Sequence, residues 1–394
     1  MKPNIILFDI DGVLIAPMGY RLAMEETCRY FLDQAGVGSL APDGEIYSLF
    51  ESQRVTSEWD MVPLALLIVL DQISQFTPLP EIIEELDGAL AWVKANPPAI
   101  RQVEYREEIL KFGSYIRTGV TAAQAILEAK INGQGENLFV RLGHPKLLWS
   151  LLGDSRNIQN QIIRKFQEFA LGGETYRKLY GEAPPYERES NLLAYDRSMI
   201  LPEVRETLEK LIHQQSLYAA LYTARPSLFP REIRLDSLGY SPEAEMAGET
   251  CGMESFPLIG YGKLGYLAAK MGRTIPEFIK PAPLQAMAAL AAAWTRNEWL
   301  SLKWAYDVLE NGSSEMEMTL PKEFKLTIVE DSAAGIVGGR RAAEVLNQGG
   351  WQVGFHPVGI STHPEKIRAL QAVGAEIFPD VNVVLEKVFS GMAA

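Results

Sequence analysis

The chain has 394 residues, enough for two or three domains, with 47% hydrophobic and 22% charged residues, the balance of an ordinary globular protein rather than a disordered or fibrous one. A formal net charge of −13 argues against nonspecific nucleic-acid binding, which needs basic surface to neutralise phosphates. Two cysteines, Cys28 and Cys251, are too few for a disulfide framework, and neither has the neighbours of a metal site.

The first element is an apolar run that stops on acids, Asn4-Ile-Ile-Leu-Phe-Asp-Ile-Asp-Gly-Val-Leu14. Ile5 to Phe8 read as a buried strand, and Asp9 and Asp11 follow it. In open α/β sheets, ligands bind at such strand ends. Those acids interrupt the apolar N-terminus too early for a signal peptide. The apolar stretch Val62 to Leu70 is too short to span a bilayer and contains a proline. A cytoplasmic chain with no membrane partner is therefore expected.

From Pro17 to Met199 strand signals are scarce and helical stripes dominate. Ile158, Ile162, Ile163, Phe166 and Phe169 form one stripe; Ile109, Leu110, Phe112 and Ile116 suggest another. A connection inside an α/β unit usually takes roughly 2–6 residues besides its helix, so residues 17–198 are expected to be an inserted helical domain. Its hinges are expected at Ala16 to Gly19 and at Gly181 to Ser190, where proline and glycine cluster.

Alternation then resumes. Leu201-Pro202 opens a helix whose Val204, Leu208, Leu211 and Ile212 share a face. Strands are expected at Leu217 to Tyr222, Lys325 to Glu330, Trp351 to Phe355 and Glu376 to Phe378, with a weaker candidate at Glu243 to Glu249. Strands alternating with helices predict a Rossmann-like parallel sheet, covered on both faces. Residues 1–16 and 199–394 would form this core. Residues 284–322 would form a further helical insertion, with Trp294, Trp299 and Trp304 in core packing or at an oligomer interface.

Three more short signals lie at element boundaries. Leu221-Tyr-Thr-Ala-Arg225 brings the Thr223 hydroxyl out of a strand. Phe278-Ile-Lys-Pro-Ala-Pro283 sets Lys280 before a proline that can open a helix. Thr327-Ile-Val-Glu-Asp-Ser-Ala-Ala-Gly335 repeats acids at a strand end. Taken singly, each has an ordinary reading as a cap or a surface charge. Together, carboxylates from two strands, a hydroxyl and a lysine suit phosphoryl transfer, which demands positioning and charge neutralisation.

On these four segments the chain resembles the haloacid dehalogenase superfamily, in its phosphatase and phosphomutase branch. Glu330-Asp331-Ser332-Ala333-Ala334-Gly335 is most similar to the β-phosphoglucomutase form of the fourth segment. The resemblance implies Asp9 as nucleophile and Asp11 as general acid and then base. It implies Mg²⁺ held by Asp9, the Asp11 carbonyl and Asp331, with Glu330 as a direct or supporting ligand. Thr223, Ala224 and Lys280 would hold the phosphoryl oxygens, and Gly12 would allow close backbone approach. The helical stretch occupies the position of a cap domain, where Arg21 is a candidate for meeting a substrate anion; Arg225 is another. Asp11 favours a phosphate ester over a haloalkanoate, since a departing halide needs no proton.

The expected activity is Mg²⁺-dependent hydrolysis of a small phosphorylated metabolite through an aspartyl-phosphate, by a monomer or homodimer. A phosphomutase is the near alternative. A phospho-acceptor signalling or partner-binding module without turnover is the alternative from another class.

Overall fold

The computed structural model describes residues 2–117, 119–153, 155–185, 187–234, 240–314 and 320–393. Eight strands are present among them. They are β1 (Asn4–Phe8), β2 (Ile15–Ala16), β3 (Arg197–Ser198), β4 (Leu217–Tyr222), β5 (Leu258–Ile259), β6 (Glu323–Glu330), β7 (Gln352–Ile360) and β8 (Glu376–Phe378). Six form one sheet in the order β5-β4-β1-β6-β7-β8, and every pairing in it is parallel.

The continuous apolar run of β1 follows from its central place. Ile5 and Leu7 join the core on one face; Ile6 and Phe8 join the core on the other. A parallel strand covered on both faces has no solvent side, so it needs no polar alternation. The order of the sheet also fixes where a crevice opens. After β1 the chain builds outward through β4 and β5, then returns to β1's other side and builds outward again through β6, β7 and β8. The reversal lies between β1 and β6, and such a switch point leaves a crevice at the carboxyl ends of the strands.

Several expected elements shift. Glu243 to Glu249 is not a strand: the helix Glu243–Cys251 occupies it, burying Ala244, Ala247 and Cys251 at helical spacing. Its alternating glutamates mimic a strand pattern, but the apolar positions recur at three and four residues. The edge strand is the two-residue β5 that follows. The helix Pro283–Thr295 lies within the layer on the sheet, with Leu284 through Ala293 all buried. Its alanines permit this close approach. Trp304 meets Trp351 edge to face, and Trp294 lies against Tyr218, so both tryptophans take part in core packing.

The chain divides into two compact units, one of residues up to Pro17 together with Tyr195 onward, the other Met18–Ala194. Within the first unit, β2 and β3 pair antiparallel, with Ile15 opposite Ser198 and Ala16 opposite Arg197. The chain therefore leaves and re-enters this unit at neighbouring points. The proline-rich stretch after Gly181, expected as the return hinge, belongs to the helical unit, and re-entry comes at Tyr195.

The helical unit is organised around Glu58–Ser74, which is apolar on nearly all sides and buried along most of its length, as a helix enclosed by others must be. Ile162, Ile163, Phe166 and Phe169 are buried on the helix Gln161–Tyr180. Ile109 and Phe112 are buried too, while Leu110 is exposed. No helix among the described residues is long and apolar enough to cross a membrane.

Candidate active site

Asp9 immediately follows β1 and Glu330 ends β6. Because Phe8 pairs with Val329, these two acids fall at the same level on adjacent strands. The Asp9 N–H donates to the Val329 carbonyl (3.0 Å), which extends the ladder one step past the strand. On the other flank Phe8 pairs with Leu221, so Tyr222 and Thr223 come out beside Asp9. Gly12 turns the chain at φ +71°, and a Cβ there would lie 2.5 Å from Asp331 Oδ2. Only glycine tolerates both the left-handed backbone and that approach.

Lys280 closes the arrangement. Its Nζ lies 2.8 Å from Asp9 Oδ2 and 2.8 Å from Glu330 Oε1. The loop carrying it has a cis Lys280–Pro281 peptide and is fixed by Gln285, which is fully buried. The Gln285 Oε1 accepts from the Lys280 N–H, while its Nε2 donates to the carbonyls of Thr223 and Ile259. One amide thus ties the lysine loop to the ends of β4 and β5.

Glu330 is saturated by neighbours. Besides Lys280, the Tyr222 hydroxyl donates to Oε1 at 2.6 Å, and the Ser332 hydroxyl donates to Oε2 at 2.8 Å. Asp331 instead turns toward Lys366, whose Nζ is 2.7 Å from Oδ2.

The charge balance is unfavourable. Burial pushes the Asp9 carboxyl well above the usual carboxylate range; Glu330 and Asp331 add to this, and Lys280 opposes it. Asp331 is also raised, by burial first, with Lys366 opposing and Glu330 adding to the rise. An unperturbed aspartate titrates near about 4, and both acids hold a proton more tightly here than a free side chain does. For Lys280, burial works to lower its affinity for a proton, but Asp9 and Glu330 outweigh that and hold it above its ordinary value.

Asp9, Glu330 and Asp331 each offer an oxygen, all within 4.8 Å of one another. A hard divalent cation takes such oxygens and would relieve the crowding, so the donor set fits Mg²⁺. Both oxygens of Glu330 already have partners, and so do those of Asp9, whose Oδ1 accepts from the Ile10 N–H at 2.8 Å while Oδ2 faces Lys280.

Asp11 stands apart from this cluster. The Arg225 guanidinium grips its carboxylate, with Nε at 3.0 and 2.9 Å from the two oxygens and a second nitrogen at 2.5 Å. Arg225 is buried and also reaches Asp196 Oδ2 at 3.1 Å. The charge of Arg225, a candidate for meeting a substrate anion, serves two carboxylates of its own chain. Arg21 lies in the helical unit, with its guanidinium 4.7 Å from the centre of the Tyr47 ring. Ala224 is exposed, and the Thr223 hydroxyl accepts from the Arg225 N–H at 3.1 Å.

Tyr222, Gln285, Lys366 and Asp196 were not singled out by sequence. Tyr222 reads as one more apolar strand residue, and Gln285 as a polar residue in an alanine-rich helix. Lys366 and Asp196 belong to no short pattern.

No protein-family model and no curated protein matches the chain. Among solved structures, target ZR25 of the Northeast Structural Genomics Consortium superposes at TM-score 0.61 with 15% identity, over all of this chain and 99% of that one. Phosphatase Tt82 from Thermococcus thioreducens aligns over 98% of this chain and 99% of its own, at 16% identity and TM-score 0.43, too loosely to bear on the argument. The likeness to target ZR25 is one of fold alone, an α/β architecture built on a parallel six-stranded sheet.

Proposed function

We propose that this chain is a Mg²⁺-dependent phosphoric-monoester hydrolase of the haloacid dehalogenase type, acting on a small phosphorylated metabolite. The observation that carries the reading is the crowding of Asp9, Glu330 and Asp331 at the switch point of the sheet, with Lys280 bridging the first two. Such crowding of like charge is costly to a fold and is characteristic of sites built for chemistry.

In this reading a carboxylate oxygen of Asp9 attacks phosphorus, the ester P–O bond breaks, and the leaving oxygen takes a proton from Asp11. Water then attacks the aspartyl-phosphate and gives a proton to Asp11, releasing inorganic phosphate and restoring Asp9. Lys280 holds the phosphoryl oxygens as their charge redistributes, joined by the Thr223 hydroxyl and the Ala224 N–H. Glu330, fixed by Tyr222 and Ser332, aims Lys280. Asp9, Asp331 and the Asp11 carbonyl would hold Mg²⁺, which would neutralise the phosphoryl group and the crowded acids.

The test is phosphate release across a panel of phosphorylated metabolites with Mg²⁺, beside Asp9→Asn. The expected result is release by the wild-type protein and none by the variant. Equal release by both would reject the mechanism. A bisphosphate requirement with no net release would favour a mutase.

A further inference from the structure

Arg225 is placed where neither substrate binding nor simple packing accounts for it. Its side chain is 2% exposed and meets two carboxylates, of which Asp196 is 1% exposed and Asp11 36% exposed. Its backbone is pinned on both sides: the N–H donates to Thr223 Oγ1, and the carbonyl accepts from the Tyr261 N–H at 3.0 Å. A purely structural ion pair would need only the buried partner. Here the guanidinium extends past Asp196 to grip a carboxylate that stands half-open two residues beyond Asp9.

We infer that Arg225 is a positioning residue for Asp11, and that Asp196 is its anchor. The inference rests on the hydrolase reading above, in which Asp11 exchanges the proton. A guanidinium fixes a carboxylate as a plane, through two parallel N–H···O contacts, where an ammonium fixes only a point. The turn around Asp11 is pinned by backbone bonds, the Gly12 N–H to the Ile15 carbonyl at 2.8 Å among them, but these do not set the torsions of the Asp11 side chain. Arg225 supplies the missing orientation. Asp196, immediately before β3, holds the guanidinium from behind, so that Arg225 does not follow Asp11 outward. The segment returning to the core thereby helps to aim the proton-transfer group.

Leaving-group dependence separates this role from general support of the fold. An aryl ester such as p-nitrophenyl phosphate departs without a proton, whereas an alkyl ester needs one. With a misaimed Asp11, Arg225→Gln should lose about 100-fold in kcat on an alkyl phosphate that the wild type hydrolyses, and about 3-fold or less on p-nitrophenyl phosphate, within the usual size of general acid–base catalysis. KM should stay within about 3-fold, because in this role Arg225 acts through Asp11 and not on the substrate. Asp196→Asn should show the same selective loss at about 10-fold, and Arg225→Lys should fall between wild type and Arg225→Gln.

Equal loss on both esters in the folded variants would overturn the inference, as would undiminished turnover of the alkyl ester. If Arg225→Gln does not fold, Asp196→Asn and Arg225→Lys carry the same comparison. A wild-type protein that releases phosphate from no member of the metabolite panel would instead reject the hydrolase reading itself.

Discussion

The two units bury charge in opposite ways. In the helical unit, Asp71 is fully buried and accepts from the N–H groups of Arg141 and Leu142 at 2.7 and 3.1 Å, and pairs with the Arg141 guanidinium at 3.1 Å. Asp60 is likewise met by Ser155 and Arg156, both at 2.8 Å. Each of these acids has its own cation and its own donors. At the ends of β1 and β6, three carboxylates crowd together, and Lys280 is shared between two of them. Matched buried charge holds a fold in register, whereas mismatched buried charge needs a further cation or a reaction to justify it.

The contrast predicts that the same kind of substitution has different consequences in the two places. Asp9→Asn should lower phosphate release by more than about 1,000-fold, as loss of a nucleophile does, without loss of folded protein by circular dichroism. Lys280→Met should follow at about 100- to 1,000-fold, the range for removing one group that stabilises developing charge; steady-state kinetics with Mg²⁺ would measure it. In the helical unit, Asp71→Asn should cost about 1.5–3 kcal/mol of stability by denaturant unfolding, since it weakens charge-assisted hydrogen bonds to a fully buried acid. Its kcat per folded molecule should stay within about 3-fold of wild type.

The smallest effect has the most telling sign. Asp9 titrates higher in the fold than in the unfolded chain, so the folded state holds its proton more tightly through the intervening range. Stability of the metal-free protein therefore falls as pH rises from about 4 through that range. Asp9→Asn removes this penalty and should raise the Tm of the metal-free protein at pH 7. The gain should shrink as pH approaches 4. A lowered Tm at pH 7 would mean that Asp9 is matched after all, and that the contrast between the units is false.

How far the site could be read from sequence follows the same division between local and distant. Asp9, Asp11 and Gly12 share one turn, Lys280 is marked by its prolines, and Glu330-Asp331 closes a strand, so each carries its signal within a few residues. The partners that set their geometry do not. Gln285 reaches Thr223 across 62 residues, Tyr222 reaches Glu330 across 108, and Lys366 reaches Asp331 across 35. Arg225 carried a local signal without its partners, because a basic residue after a strand end looks free until its acids, 214 and 29 residues away, are in place. In the fold, β1, β4 and β6 were legible because buried parallel strands are continuous apolar runs. The two-residue β2, β3 and β5 are too short to carry any periodicity.

The claim that joins these observations is that Asp9 takes the phosphoryl group. Acid quench of the wild-type protein during turnover of a phosphate ester with Mg²⁺, followed by mass spectrometry of its peptides, tests this directly. One phosphoryl group on Asp9, absent from Asp9→Asn, is the predicted result. Phosphorylation at another residue, or steady turnover by Asp9→Asn, would contradict it.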